Sequence, residues 1–271
     1  MDYKLPKLPY REENSNKGTF GKILNIAGSK YMPGAAYLSS ISALKTGAGY
    51  VELVSDDCVL ETVSKLAPEI VLAPYKKLTE LINDATVIEI GCGLSTEKQE
   101  IFDKVIDERK NQPLVIDADG LNILAKMNYT FDKNVILTPH PKEASRLLNC
   151  STEKILNNPE QSAIEISKKY NCITVLKTHR TKIASPDGEF YTNNTGSSAL
   201  AKAGTGDVLT GMISGLLAQK MSVLEAAILG VYLHGLAGEL ATKDLSEYSV
   251  LASDVVNYIP FAIKLYAGNF S

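Results

Sequence analysis

The sequence predicts an α/β fold in a single domain, residues 1–271, with a mainly parallel central sheet and helices on both faces. Three observations predict it. Short β-rich runs alternate with helical patterns, the order that builds parallel strands through crossover helices. Strand runs end repeatedly in glycine-rich or acidic loops that open a helix. Beyond Gly204 only helical patterns remain, and no linker or internal repeat marks a boundary.

The first strand reads KILNIAG (22–28), and the loop SKYMPG then opens a helix over 35–46. Gly47 and Gly49 separate that helix from a second strand, YVELV. Further strands are TVIEIG (86–91), PLVIDA (113–118), NVILTPH (134–140) and ITVLK (173–177). Pro-Asp-Gly inside TKIASPDGEFYTN lies between two β-like runs, which is hairpin chemistry. Three helices follow: GDVLTGMISGLLAQK, VLEAAILGVYLHGLAGELA and SDVVNYIPFAIKLY. The last is expected to bend or break at Pro260, which lacks the N–H its ladder needs. The middle one is apolar almost all round and is expected inside the protein. Residues 1–17 read as a polar N-terminal extension.

Composition narrows the function classes. Hydrophobic residues make up 45% and charged residues 22%, ordinary for a folded, water-soluble chain. Net charge is -3 with no Lys/Arg stripe, which argues against nucleic acid and leaves free nucleotides open. Cys58, Cys92, Cys150 and Cys172 are scattered without zinc-like spacing and read as reduced thiols. The start lacks an apolar signal core. The most apolar stretch, 226–238, is shorter than a bilayer span, so no membrane and a cytoplasmic location are expected.

In parallel α/β sheets, ligands bind where strand ends feed helices. Four such loops carry unusual residues. In the first, Gly204, Thr205 and Gly206 precede Asp207 at a helix start, where free N–H groups and the dipole favour phosphoryl charge. Asp207 there can accept the proton of a hydroxyl that attacks phosphorus. Taken alone the turn reads equally as helix capping, and no GxxxxGK[ST] loop occurs. Asp117 and Asp119 end another strand; Asp119 reads as a helix cap, and the pair also suits Mg2+ or substrate hydroxyls. His140, between Pro139 and Pro141, is held on stiff extended backbone and reads as a ligand contact. Glu143 can hold a water of hydrated Mg2+, or be a solvated first-turn acid. Gly91 and Gly93 permit close approach of a phosphate or ribose, or simply make a tight turn.

The blocks KGTFGKILNIAGS, YMPGAA, ALKTGAGYV, IGCGLS, VIDADGLN, TPHPKE, VLKTHRT and KAGTGDVLTGMISGLLAQ occur in order from about 17 to 241. With them the chain resembles the ADP/ATP-dependent NAD(P)H-hydrate dehydratases of the ribokinase-like fold. That resemblance implies repair of hydrated NADH or NADPH (the S form). The ring hydroxyl is phosphorylated by ADP or ATP and phosphate is eliminated, because phosphate leaves carbon far more easily than hydroxide. It implies hydrate contacts at Ala35, Gly93, His140 and Asp207. It implies nucleotide contacts at Lys177, Thr178, His179, Arg180 and Thr181, with Gly206 beside the phosphates, and Mg2+ carried in with the nucleotide. Thr178 stands where the family has glycine, Cys92 where it has proline, and Ser95 where it has glycine. A stand-alone chain of this kind resembles members that favour ADP, assemble as homotetramers and depend on a separate epimerase. The rival expectations are a vitamin-precursor or sugar kinase of the same fold, which would accumulate a phosphorylated product, and a non-catalytic nucleotide-binding protein.

Overall fold

The computed structural model describes residues 5–268. The first half runs β1 (Lys22–Ile26), α1 (Pro33–Thr46), β2 (Tyr50–Ser55), α2 (Asp57–Leu66), β3 (Val71–Pro74), α3 (Leu78–Asp84), β4 (Val87–Ile90), α4 (Gln99–Glu108), β5 (Leu114–Ile116) and α5 (Ala118–Leu124). The second runs β6 (Val135–Leu137), α6 (Pro141–Leu147), α7 (Thr152–Asn157), α8 (Pro159–Tyr170), β7 (Ile173–Leu176), β8 (Lys182–Ala184), β9 (Phe190–Thr192), α9 (Thr205–Ala218), α10 (Val223–Leu245) and α11 (Ala252–Gly268). One nine-stranded sheet has the order β3-β2-β1-β4-β5-β6-β7-β8-β9. Every pairing through β7 is parallel; β8 and β9 join antiparallel.

The strand runs are apolar at nearly every position because both sheet faces are covered. Ile23, Val51, Val87, Val115 and Ile136 face a layer built with α9, α10 and α11, including Val208, Met212, Ile228 and Val255. The alternate residues Leu24, Ile26, Ile88, Ile90, Leu114 and Ile116 face Phe102, Val105, Ile166 and Tyr170 on α4 and α8. Each fully buried Val, Leu or Ile contributes about 2 kcal/mol. The two neighbours of β1 are reached in opposite directions, β2 on one side and β4 on the other. That reversal opens a crevice at the carboxyl ends of β1 and β4.

The predicted strands all form, most of them trimmed at their ends and YVELV extended by Ser55, and the Pro-Asp-Gly segment turns between β8 and β9. Helix α1 begins at Pro33, two residues before the predicted start, because a proline at the first helical position sacrifices no bonded N–H. Two expectations change. Helix α11 is not broken at Pro260, an exposed residue that lies inside it. Helix α10 spans 23 residues and is apolar enough by length and composition to cross a membrane, so shortness does not exclude a span. Most of that apolar window is instead buried inside the protein, against α9 and α11. The edge strand β3 escaped the sequence reading; it is four residues long and ends at Pro74, which only a sheet edge tolerates. The described part of the polar extension is anchored: Tyr266 donates to Pro6 O, and Arg11 lies 3.5 Å over the Phe20 ring and donates to Gln219.

Candidate active site

Four strand ends and one helix start converge. Asp117, after β5, is 1% exposed; Lys177 Nζ donates to its Oδ1 at 2.7 Å and Thr210 Oγ1 to its Oδ2 at 2.8 Å. This pair ties β7 and α9 to the strand between them. Asp207 stands in the first turn of α9, and its carboxylate, that of Asp117 and the Cys92 thiol lie within 4.8 Å of one another. Burial first, and the charge of Asp117 second, push the Asp207 pKa up to about 6; a Cys92 hydrogen bond and Lys177 pull it down. A carboxylate poised near neutrality is suited to take a proton. The Cys92 thiol, fully buried, is pushed well above the usual thiol range and stays protonated as a donor.

The turn ahead of α9 works through glycine. Gly204 has φ +92, a conformation L side chains rarely adopt, and it turns the chain into the helix. A Cβ at Gly206 would lie 3.2 Å from Lys177 Nζ, so glycine there leaves the helix start open to an anion.

The second wall is the start of α6. His140 has φ -81 and ψ 167, extended as its flanking prolines predict, and acts as N-cap. Its Nδ1 accepts from Lys142 N at 3.1 Å and Glu143 N at 3.4 Å, so the ring proton sits on Nε2. Glu143 answers by accepting from His140 N at 2.8 Å and lies 3.3 Å from Nε2. Only 5% exposed, Glu143 is not the solvated acid of the plainer reading, and burial pushes it up to about 7. Burial, then Lys177, lower the His140 pKa, which keeps the ring neutral.

Asp119 does not cap α5: the N-cap position is Asp117, without a side-chain cap bond, and Asp119 lies in the first turn. Its Oδ2 accepts from Ser95 N at 2.8 Å and so ties the β4 loop to α5. Ser95 has φ 76, and Thr178 spends its hydroxyl on Arg180 O at 2.9 Å.

Of the nominated residues, His140, Lys177, Thr178, His179, Thr181, Thr205 and Gly206 line one cleft of about 750 Å³. Arg180 lies outside its lining. Ala35 and Gly93 meet elsewhere: a Cβ added to Gly93 would lie 2.8 Å from that of Ala35, at the β1–β4 crevice. Gly206 lines the cleft and Asp207, the next residue, does not; the Asp207 carboxylate lies instead near the thiol of Cys92, the neighbour of Gly93. The sequence reading missed Asn193, Thr195, Ser197, Lys202 and His234 in the cleft wall. No motif covered 194–201, Asn193 and Lys202 were only the end of the hairpin segment and the start of the KAGTGD block, and His234 sits in a largely apolar helix.

No free carboxylate cage waits for a cation among the described residues of this site. Asp117 is bonded to Lys177, Asp119 to Ser95 and Glu143 to His140, while Cys92 keeps its proton. A hydrated Mg2+ held by nucleotide phosphates fits this surface better than a metal bound by protein alone.

A family model described as NAD(P)H-hydrate dehydratase matches residues 23–261. An ADP-dependent (S)-NAD(P)H-hydrate dehydratase from Neisseria meningitidis is 39% identical over 238 residues, 85% of this chain and 80% of that protein. A protein of the same name from Bacillus subtilis is 34% identical, over 96% of this chain and 95% of its own length. The chain also matches bifunctional NAD(P)H-hydrate repair enzymes, from Moorella thermoacetica (34%) and Thermofilum pendens (33%), and spans only 52% and 53% of their lengths. The crystal structure of the Bacillus subtilis ADP/ATP-dependent dehydratase, co-crystallised with ATP/Mg2+, superposes with TM-score 0.86 at 33% identity, covering 96% of this chain and 94% of that one. A hydroxyethylthiazole kinase at 15% identity and TM-score 0.58 shares the fold alone. With a model match across most of its length and close relatives matched nearly end to end, the chain belongs to the NAD(P)H-hydrate dehydratase family, on a ribokinase-like scaffold.

Proposed function

We propose that this chain returns the S form of hydrated NADH and NADPH to NADH and NADPH, with ADP or ATP as phosphoryl donor. The observation that carries the reading is Asp207, a carboxylate raised to about 6 in the first turn of α9, directly after the cleft residue Gly206 and under the influence of the Lys177 ammonium. The 750 Å³ cleft takes the adenine nucleotide, with Lys177, Thr178, His179 and Thr181 along one side. The hydrated nicotinamide ring lies toward Ala35 and Gly93, with the Nε2–H of His140 donating to it.

Asp207 accepts the ring hydroxyl proton as that oxygen attacks the terminal phosphorus, and the bond to the departing nucleotide breaks. The N–H groups at the start of α9, with Lys177, stabilise the charge spread over the phosphoryl oxygens. The phosphorylated ring carbon then loses phosphate with the C–O electron pair, the ring nitrogen supplies electrons, and loss of a ring proton restores the dihydropyridine. Glu143 and His140 would hold the water shell of a nucleotide-borne Mg2+, which would supply neutralisation of phosphate charge.

Bifunctional relatives about twice as long support a working link to an epimerase. Exposed Leu245, Tyr248, Leu251, Phe261 and Leu265 around α10 and α11 support a cytoplasmic homotetramer that covers them. The test is recovery of reduced-nicotinamide absorbance from hydrated NADH with Mg2+ and either donor, for wild type and Asp207→Ala. A rise that needs nucleotide and vanishes in the variant is expected. No rise from folded, nucleotide-binding protein would refute the reading and turn attention to kinase substrates.

A further inference from the structure

Beneath the reacting carboxylates lies a fourth buried acid that the mechanism above does not use. Glu89, on β4, is 0% exposed, and neither of its carboxyl oxygens has a hydrogen-bond partner. Its register partner on β1 is Asn25, also 0% exposed. Paired residues of adjacent strands share a face, so the two side chains stand side by side. Asn25 donates from Nδ2 to Ser39 Oγ at 2.7 Å and Ser40 Oγ at 2.9 Å, which leaves its Oδ1 without a donor.

The hydroxyls of Ser39 and Ser214 flank Glu89 and favour its anion; Ser214 donates to Thr210 O at 3.0 Å, whereas Ser39 accepts from the Asn25 amide and keeps its own proton to donate. At most one of the two hydroxyl protons therefore serves three acceptor atoms, Asn25 Oδ1 and the two oxygens of a fully buried Glu89. A buried carboxylate with no ion pair and so little donation is among the most costly groups a protein can hold. One proton on Glu89 removes the difficulty, because it makes a donor for Asn25 Oδ1 and abolishes the charge.

The charged and titratable groups around Glu89 complete the argument. Asp117 and Asp207 face it from β5 and α9, and both oppose its ionisation; β1 and α1 present only Asn25 and serines. Cys92, three residues on, is protonated, and Lys177 already serves Asp117. The site thus holds one ammonium for two anions, and a third anion has nothing to meet.

We propose that Glu89 is a proton-bearing positioning residue of this active site: neutral, it donates to Asn25 Oδ1, and when ionised it sets a third negative charge beneath Asp207 and tightens the hold of Asp207 on its proton. Consistent with this placement, burial first pushes Glu89 up to about 7, beside Asp207 at about 6, so the two share protons across one pH range. The kinetic consequence rests on the dehydratase reading; the protonation state does not.

The experiment has two arms on full-length protein. Infrared difference spectra between about pH 5 and 9 read the protonated-carboxyl band directly, without substrate, in wild type and Glu89→Gln. A component persisting to about pH 7 in wild type and lost from the variant, over the Glu143 and Asp207 bands common to both, is expected; identical protonated-carboxyl bands in the two proteins, or none above about pH 5 in wild type, overturn the proposal. The second arm is kcat/KM against pH. Wild type should show a broad acid limb from two interacting protons. Glu89→Gln, which keeps a donor for Asn25, should show a one-proton limb displaced to lower pH by about half a unit or more. Superimposable profiles from two folded enzymes would overturn the role through Asp207. Absence of turnover in wild type would instead count against the dehydratase reading and leave the infrared arm to decide the proton.

Discussion

Replacing Asp207 by asparagine should make the protein more stable and nearly inactive, and the stability gain should depend on pH in a stated direction. The folded state raises the Asp207 pKa from 3.8 to about 6, burial being the main cause. A carboxyl raised on folding is penalised as an anion. The penalty is absent below about pH 4, grows as pH rises through about 6, and is constant above that. The gap is about two units at about 1.4 kcal/mol each, so close to 3 kcal/mol before discount. Asp207 is only half-buried, and solvent screening brings the figure to about 2 kcal/mol. Urea unfolding of wild type and Asp207→Asn at about pH 7.5 and about pH 4 should show that gain at the higher pH and none at the lower. Over the same comparison kcat should fall by about 10²- to 10⁴-fold, the worth of a general base. A variant less stable than wild type at neutral pH, or one keeping more than about a tenth of kcat, would refute the reasoning.

Asp117→Asn should strand the Lys177 ammonium and cost about 3 kcal/mol in urea unfolding, since breaking a buried pair leaves an uncompensated charge. The same variant should move the acid limb of kcat/KM to lower pH, because the Asp117 charge is the second cause of the high Asp207 pKa. Gly91→Ala should fail to fold or lose at least about 3 kcal/mol: φ is +121 and the new Cβ would lie 2.1 Å from Asp117 O, backbone that cannot yield. Ser95→Gly should stabilise by about 1 kcal/mol in thermal unfolding, since φ 76 strains serine. No gain would mean that the Ser95 hydroxyl, which accepts from Glu97 N, offsets the strain.

Much of this protein was legible along the chain because its signals are local. Alternating apolar runs, the Pro-Asp-Gly turn and the glycine-led helix start at Asp207 depend on near neighbours, and so does the cap geometry that two prolines impose on His140. Block order carried the family. Pairing across the sheet was not legible: Lys177 and Asp117 are 60 residues apart, and Thr210 reaches Asp117 across 93. Nothing local distinguishes a strand-end lysine that is surface-bound from one locked to a buried carboxylate. For the same reason Asp119 read as a helix cap and Glu143 equally as a solvated first-turn acid, until packing set Asp119 against Ser95 N and buried Glu143 beside His140. Burial also decided the chemistry. Glu89 reads as an ordinary strand residue, and only the register with Asn25 and the α1–α9 layer above it reveal an acid without a partner. The sequence by itself marked most of the elements, their order and the carboxylate proposed to react. The tertiary structure alone decided which charges meet and which are sealed from water, because proton affinity is set by desolvation and neighbouring charge, and both exist only after distant segments have packed.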